Sequence, residues 1–182
     1  LRGGGGNDVL NGGDGTDTAS CSTAAAAVTV DLSMGTASDD GDGGSDTLTE
    51  IENITGSSQG DTLTGDSNAN TLTGGGGNDT LSGGDGDDTL NGGSGNDTLI
   101  GGNGNDTAIF SSPVTVNLAL GTATGEGTDT LVGIENVTGS GNNDTLIGDS
   151  NDNILSGGSG SDTLRGGAGN DILDGGSSTD TA

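Results

Sequence analysis

Residues 74–109 read GGGGNDTLS GGDGDDTLN GGSGNDTLI GGNGNDTAI, four nine-residue units in which glycines at places one, two and four, an Asp at place six and an aliphatic residue at place eight return in phase. A fixed period in so biased a chain marks a repeat architecture, where a unit too small to bury a core alone does so by stacking on its neighbours. The first six residues of each unit are Gly-rich and suit turns with positive φ. The last three, such as Thr80-Leu81-Ser82, have strand preference and one inward side chain. Turn, strand, turn, strand gives one coil per 18 residues.

Working outward, the same frame opens the chain at Gly3 (GGGGNDVLN) and Gly12 (GGDGTDTAS) and returns at Gly157 (GGSGSDTLR) and Gly166 (GGAGNDILD), which makes eight strict copies. Looser copies begin at Gly56, Gly65, Gly139, Gly148 and Gly175; they keep the aliphatic place but lose glycines, and Asn70 and Asn153 replace the Asp. Stacking predicts an all-β fold of two parallel sheets over a thin core of Leu10, Leu63, Leu72, Leu81, Leu90, Leu99, Leu146, Leu155, Leu164 and Leu173. At about 4.8 Å per stacked strand, roughly ten coils make a rod about 50 Å long.

Two stretches, 20–55 and 109–138, interrupt the nonapeptides and resemble each other. Val28-Thr29-Val30-Asp31-Leu32 matches Val114-Thr115-Val116-Asn117-Leu118, a period-two strand. Each continues through GTA at Gly35 or Gly121 to Asp46-Thr47-Leu48 or Asp129-Thr130-Leu131, then to Ile51-Glu52-Asn53-Ile54 or Ile134-Glu135-Asn136-Val137. They read as wider coils of one continuous solenoid spanning 1–182, between nonapeptide blocks at 3–19, 56–108 and 139–182. A longer period is also present: residues 164–182 overlay residues 1–19 at 14 of 19 positions.

The composition excludes much. The chain has 42 Gly, one Phe, no Trp or Tyr, and a formal charge of −26 from 28 acidic residues against two arginines, Arg2 and Arg165. Such a chain would repel phosphate backbones and anionic lipid, so neither nucleic-acid binding nor membrane insertion is expected. With no His, Lys or Tyr, and Gly-rich turns without a P-loop lysine, no enzyme is expected either. Paired carboxylates could serve glycan hydrolysis, but here they read better as metal ligands. Cys21 has no partner for a disulfide and reads as a small buried residue. No signal peptide or membrane-spanning stretch is legible.

Stacking brings the place-six carboxylates of units n and n+2 to one edge, one coil apart. Two such charges repel by about 4 kcal/mol at 4 Å and an effective dielectric near 20. A hard divalent cation between turns removes that repulsion and takes carboxylate and carbonyl oxygens together, which suits Ca²⁺ better than Mg²⁺. Transition metals lack their ligands, with no His and one Cys. Asp40-Gly41-Asp42-Gly43-Gly44 has the look of an EF-hand loop, but its twelfth place is Ile51 and no flanking helices are predicted. Asp46 is a further candidate ligand of the roll.

GGxGxDxUx recurring in phase resembles the repeats-in-toxin (RTX), or haemolysin-type calcium-binding, signature. The VTVDL, GTA, DTL and IENITGS segments are also similar to those that interleave such repeats in bacterial extracellular proteins. The resemblance implies a right-handed parallel β-roll with Ca²⁺ held between turns n and n+2 by place-six carboxylates and turn carbonyls. It carries that role to Gly74, Gly75, Gly77 and Asp79; to Gly83, Gly84, Gly86 and Asp88; to Gly92, Gly93, Gly95 and Asp97; and to Gly101, Gly102, Gly104 and Asp106. Later in the chain it falls on Gly157, Gly158, Gly160 and Asp162, then Gly166, Gly167, Gly169 and Asp171, and on Asp180; Asp8, Asp17, Asp61 and Asp144 complete the set. The best pairs are Asp79 with Asp97, Asp88 with Asp106, and Asp162 with Asp180. Asp61 with Asp79 and Asp144 with Asp162 should be weaker, and Asn70 and Asn153 put the sites shared with Asp88 and Asp171 in doubt.

The expected role is a secreted or cell-surface calcium-binding rod, in an adhesin, surface layer or fibre, that orders where calcium is plentiful and leaves the cell by type I secretion. Head-to-tail stacking with a second copy, or with flanking repeats of a longer chain, follows from the overlay of its two ends. An alternative is the repeat module of a larger secreted toxin, protease, lipase or alginate epimerase. An ice-binding face is a lesser alternative: the paired threonines Thr62/Thr64 and Thr71/Thr73 decay to Thr80/Ser82 and Thr98/Ile100, as strand propensity alone would give.

Overall fold

A period of nine with one inward aliphatic residue sends successive strands to opposite faces of a coil. The computed structural model, which describes all 182 residues, has that form. Its first strands are β1 (Val9–Asn11), β2 (Thr18–Ser20), β3 (Thr29–Asp31), β4 (Thr36–Asp39), β5 (Asp46–Thr49) and β6 (Asn53–Thr55). The central block holds β7 (Thr62–Thr64), β8 (Thr71–Gly76), β9 (Thr80–Asp85), β10 (Thr89–Ser94), β11 (Thr98–Asn103) and β12 (Thr107–Ile109). Then come β13 (Thr115–Asn117), β14 (Thr122–Thr124), β15 (Thr128–Val132), β16 (Asn136–Thr138), β17 (Thr145–Ile147), β18 (Ile154–Ser156), β19 (Thr163–Arg165) and β20 (Ile172–Asp174).

Two sheets result. The shorter has eight strands in the order β2-β6-β8-β10-β12-β16-β18-β20, and all its pairings are parallel. The longer has twelve, β1-β5-β4-β3-β7-β9-β11-β15-β14-β13-β17-β19. Within the nonapeptides the register advances by one coil, so Leu63 faces Leu81 and Leu81 faces Leu99 in one sheet, as Leu72 faces Leu90 in the other. Identical residues therefore stack. Leu63, Leu72, Leu81, Leu90, Leu146 and Leu155 are fully buried, and burying each contributes about 1.5–3 kcal/mol. Of the core leucines expected from the sequence, only Leu173, in the last coil, is exposed.

The interruptions differ from the expected wider coils. Each is a three-stranded antiparallel meander lying wholly in the longer sheet: β3 pairs antiparallel with β4 and β4 with β5, and likewise β13 with β14 and β14 with β15. The first strand of each meander joins the following coil (β3 to β7, β13 to β17), and the last joins the preceding one (β5 to β1, β15 to β11). Two extra strands per meander account for the difference between twelve and eight, and the rod has eight coils where about ten were expected.

The reversal is local turn chemistry. Asp31 accepts hydrogen bonds from the Met34 N–H and the Ser33 hydroxyl, and Asn117 caps Leu120 at the end of a short 3₁₀ turn, Leu118–Leu120. Side chains that close turns on their own backbone are the common use of Asp and Asn. The GTA glycines then take φ of 64° at Gly35 and 63° at Gly121, a left-handed conformation that L-residues other than Gly and Asn avoid. Ala37 and Ala123, in the middle strands, are buried in the core.

Candidate metal centres

Each strict turn from Gly74 onward leads into a strand whose first N–H donates to the coil before, and the place-six Asp sits at that junction, walled by neighbouring turns. Asp79, Asp88, Asp97, Asp106 and Asp162 are 0–2 % exposed. Their Oδ1 atoms form a ladder: the N–H of Asp79 donates to Asp97 at 2.8 Å, that of Asp88 to Asp106 at 2.8 Å, and that of Asp162 to Asp180 at 3.0 Å. Asp61 N–H donates to Asp79 at 2.7 Å and Asp144 N–H to Asp162 at 2.8 Å. The other oxygen, Oδ2, is buried without a hydrogen-bond partner in Asp8, Asp79, Asp88, Asp97, Asp106 and Asp162. A buried carboxylate oxygen left in this state is costly unless a cation meets it.

The first glycine of each strict turn keeps the Oδ2 of its place-six Asp clear of any side chain. A Cβ on Gly74 would collide with Asp79 Oδ2 and lie 2.6 Å from the Gly92 carbonyl oxygen of the next coil; on Gly83 it would meet Asp88 Oδ2 and lie 2.7 Å from the Gly101 carbonyl. A side chain at these places would shut off the oxygens that a Ca²⁺ ion, with oxygen ligands at about 2.3–2.6 Å, would need. No three acidic side chains converge into a cage, so the donor set is one of carboxylates completed by main-chain carbonyls. Oxygen-only donors of that kind suit Ca²⁺.

Electrostatics points the same way. Burial pushes the Asp79 carboxyl up to about 7, against the stabilising Asp61 N–H and with the charges of Asp97 and Asp61 adding to the rise. Asp88 rises to about 6 by burial, opposed by the Asn70 N–H and assisted by Asp106, Asp66 and Asp87. Asp97, Asp106, Asp129 and Asp46 are raised as well, burial leading in each.

The chain matches the family model for the RTX calcium-binding nonapeptide repeat at residues 1–19, 51–81, 73–108, 124–164 and 147–182, about three-quarters of its length. It belongs to the RTX calcium-binding repeat family. Calcium binding is thereby implied by family and by donor chemistry alike. The unmatched residues, 20–50 and 109–123, fall on the meanders. No curated protein matches the chain.

The looser RTX units close their turns differently. Asp61 Oδ2 accepts the N–H of Ser57, and Asp144 Oδ2 that of Ser140 at 2.6 Å, while Oδ1 of each also takes a meander N–H, from Val28 and Val114. Asn70 and Asn153 accept the N–H of Asp66 and Asp149 on Oδ1, and their amide groups donate 2.8 Å bonds to the carbonyls of Glu52 and Glu135 in the preceding coil. An amide N–H thus bridges the coils at these two places.

Sequence reasoning named Asp46 as a further ligand but not its partner, and missed Glu52, Asp129 and Glu135, because the spacing past each meander is not 18. The N–H of Asp8 donates to Asp46, that of Asp17 to Glu52, that of Asp97 to Asp129 and that of Asp106 to Glu135. The DTL that follows Asp46 and Asp129, in phase with the DTL of the repeats, was the signal available. Glu126 adds a buried Oε2 without a partner beside Asp97 and Asp129. At the ends of the roll Asp17, Asp171 and Asp180 are only partly buried. Asp40-Gly41-Asp42-Gly43-Gly44 is the turn between β4 and β5, not an EF-hand. Cys21 packs half-buried against the core, where burial and four nearby acids push its thiol up to about 11, too high for reactivity.

Proposed function

We propose that this RTX chain is a secreted, non-catalytic rod whose strict turns order as they take up Ca²⁺. The observation that carries the reading is the buried, unpartnered Oδ2 of Asp79, Asp88, Asp97, Asp106 and Asp162, five carboxylates whose charge the chain itself does nothing to balance. Two arginines against 28 acidic residues cannot supply the counter-charge. In this role the place-six carboxylates and turn carbonyls bind, and the glycines keep the space between them open. Ca²⁺ supplies a positive charge that joins one coil to the next. Low calcium inside a cell would leave the chain unfolded and exportable; the higher level outside would fold it. No helix is long and apolar enough to cross a membrane.

Far-UV circular dichroism in chelator, followed by titration with calcium and with magnesium as control, tests the reading. A cooperative transition from coil to strand specific to calcium is expected; full strand content in chelator would overturn it.

The last coil leaves an edge that a further coil would cover, whether from flanking repeats of a longer chain or from a second copy. Ile172 and Leu173 of the last coil are exposed, while their stacking counterpart Leu155 is fully buried, and the last 19 residues overlay the first 19. An incoming first coil would cover this edge. Light scattering of the calcium-loaded chain should show concentration-dependent growth; a monomer at all concentrations would overturn stacking.

A further inference from the structure

The buried side-chain oxygens without a hydrogen-bond partner are unevenly spread along the roll: none lies between Asp40 and Asp79, and none between Glu126 and Asp162. Each gap covers the first nonapeptides after a meander, and the two gaps close by the same bonds. Asp61 is 2 % and Asp144 3 % exposed, yet both oxygens of each are used: Oδ2 accepts the N–H of Ser57 or Ser140, and Oδ1 accepts the N–H of Val28 or Val114 at 2.8 Å. On the other edge of the coil, the Asn70 and Asn153 amides donate to the carbonyls of Glu52 and Glu135, while Asn53 and Asn136 accept the N–H groups of Thr71 and Ile154 at 2.8 and 3.0 Å. These bonds reinforce the pairing of β3 with β7 and β6 with β8 after the first meander, and of β13 with β17 and β16 with β18 after the second. Val30, Ile54 and Leu63 pack inside one unit and Val116, Val137 and Leu146 inside the other, all 0–1 % exposed.

A packed unit whose buried polar groups are all satisfied opens less readily than one that buries bare charge. The strict turns that follow are laid on these units: the N–H groups of Asp61 and Asn70 donate to Asp79 and Asp88, and those of Asp144 and Asn153 to Asp162 and Asp171. We infer that the roll carries two self-satisfied seeds, residues 51–73 with β3 and residues 134–156 with β13, which order first as calcium rises, and that the strict turns then close outward from them. The inference rests on the calcium reading of the repeats and adds to it an order of assembly, set by which turns bring their own hydrogen bonds and which wait for an ion.

Hydrogen–deuterium exchange read by mass spectrometry on the whole chain, from chelator through a calcium titration, tests that order. Residues 53–73 and 136–156 should gain protection at a lower calcium midpoint than β9, β10 and β11; protection of all strands together, or the reverse order, overturns the seeds. Asn70→Asp keeps an acceptor for the Asp66 N–H but turns the amide that donates to Glu52 into an oxygen that repels its carbonyl. The variant should raise the midpoint of residues 53–73 to that of β9–β11 and leave residues 136–156, which keep Asn153, at the wild-type midpoint. An unchanged midpoint at 53–73 overturns the first seed, and should the variant fail to fold, the wild-type order decides by itself. A chain that gains no protection with calcium anywhere would instead overturn the functional reading of the whole roll.

Discussion

The turns at 74–106 and those at 56–70 and 139–153 hold the same coils with the same stacked leucines, yet they balance their charge in opposite ways. In the strict turns the second and fourth glycines take positive φ, as at Gly84 (117°) and Gly86 (104°), and Oδ2 of the Asp is left without a partner. In the loose turns none of Gly56, Gly60, Gly65, Gly139, Gly141 or Gly148 has positive φ, and the turn's own N–H caps the place-six side chain. The lesson is that the core fixes the coil while the turn decides whether it depends on metal. One class of turn is completed from solution and the other from within.

The largest effect tests the common part of that comparison. Leu63→Ala and Leu81→Ala remove side chains that are both 0 % exposed, one beside loose turns and one beside strict turns. Each should destabilise the calcium-loaded roll by about 2–5 kcal/mol, measured by denaturant unfolding in saturating calcium. Losses of similar size would locate the difference in the turns; a much smaller loss at Leu63 would break the comparison, since the core would then not be shared equally.

Changing the place-six residue should separate the two classes. Asp61→Asn loses acceptor capacity that Ser57 and Val28 use, which should cost about 1–3 kcal/mol with calcium or in chelator. Asp88→Asn should cost a similar amount in calcium, because it removes a charge from an ion site, but in chelator it should be neutral or stabilising, since burial already disfavours that charge. Thermal melts in saturating calcium, with residual strand content by far-UV circular dichroism in chelator, check this for both variants. A calcium-independent loss at Asp88 would place it with the self-capped turns.

The repeat, the two-sheet roll, the inward leucines and the place-six ladder were legible because strict periodicity leaves one register in which Leu72, Leu81, Leu90 and Leu99 all point inward. The meanders were not legible as meanders. VTVDL and VTVNL carry an ordinary strand pattern, and nothing in the pattern says whether the next strand continues the coil or turns back; that was decided by Asp31, Asn117 and the left-handed glycines at 35 and 121. The same reversal hid the ladder partners Glu52, Asp129 and Glu135, and the pairing of the flagged Asp46 with Asp8, since their distance along the chain depends on the length of the excursion. Asn70 and Asn153 read as lost ligands because sequence spacing does not show that an amide N–H faces a carbonyl in the preceding coil.

Acidity should move the metal-free and calcium-loaded rolls in opposite directions. Asp79 and Asp88 have folded-state pKa values raised to about 7 and about 6 from the ordinary value of 3.8, so between these limits the folded chain binds more protons than the unfolded one. Their contribution to stability is fully present below the unfolded value and is lost as the pH rises through about 6 and 7. In chelator, where the chain is largely unfolded, its residual strand content by far-UV circular dichroism should therefore be higher at pH 5 than at pH 8. In calcium the order should reverse, because protons compete with the ion for the same oxygens. Higher stability at pH 8 in chelator would mean that the strict carboxylates are satisfied without metal, which would erase the distinction from the loose turns.

The smallest effect comes from a single glycine of a loose turn. Gly141 lacks positive φ, and a Cβ there meets nothing within 4 Å. Gly141→Ala should then stabilise the roll by about 0.4–1 kcal/mol, chiefly by reducing the freedom of the unfolded chain. A change at place four of a strict turn, Gly95→Ala, forces a left-handed φ of 136° on alanine and drives its Cβ into the Gly77 carbonyl oxygen, so it should destabilise. Denaturant midpoints in saturating calcium read both. Strict turns carry Asp85, Ser94 and Asn103 at the place Gly141 holds, so a cost as large as that of Gly95→Ala would mean that the loose turn takes a geometry in calcium that neither class shows here.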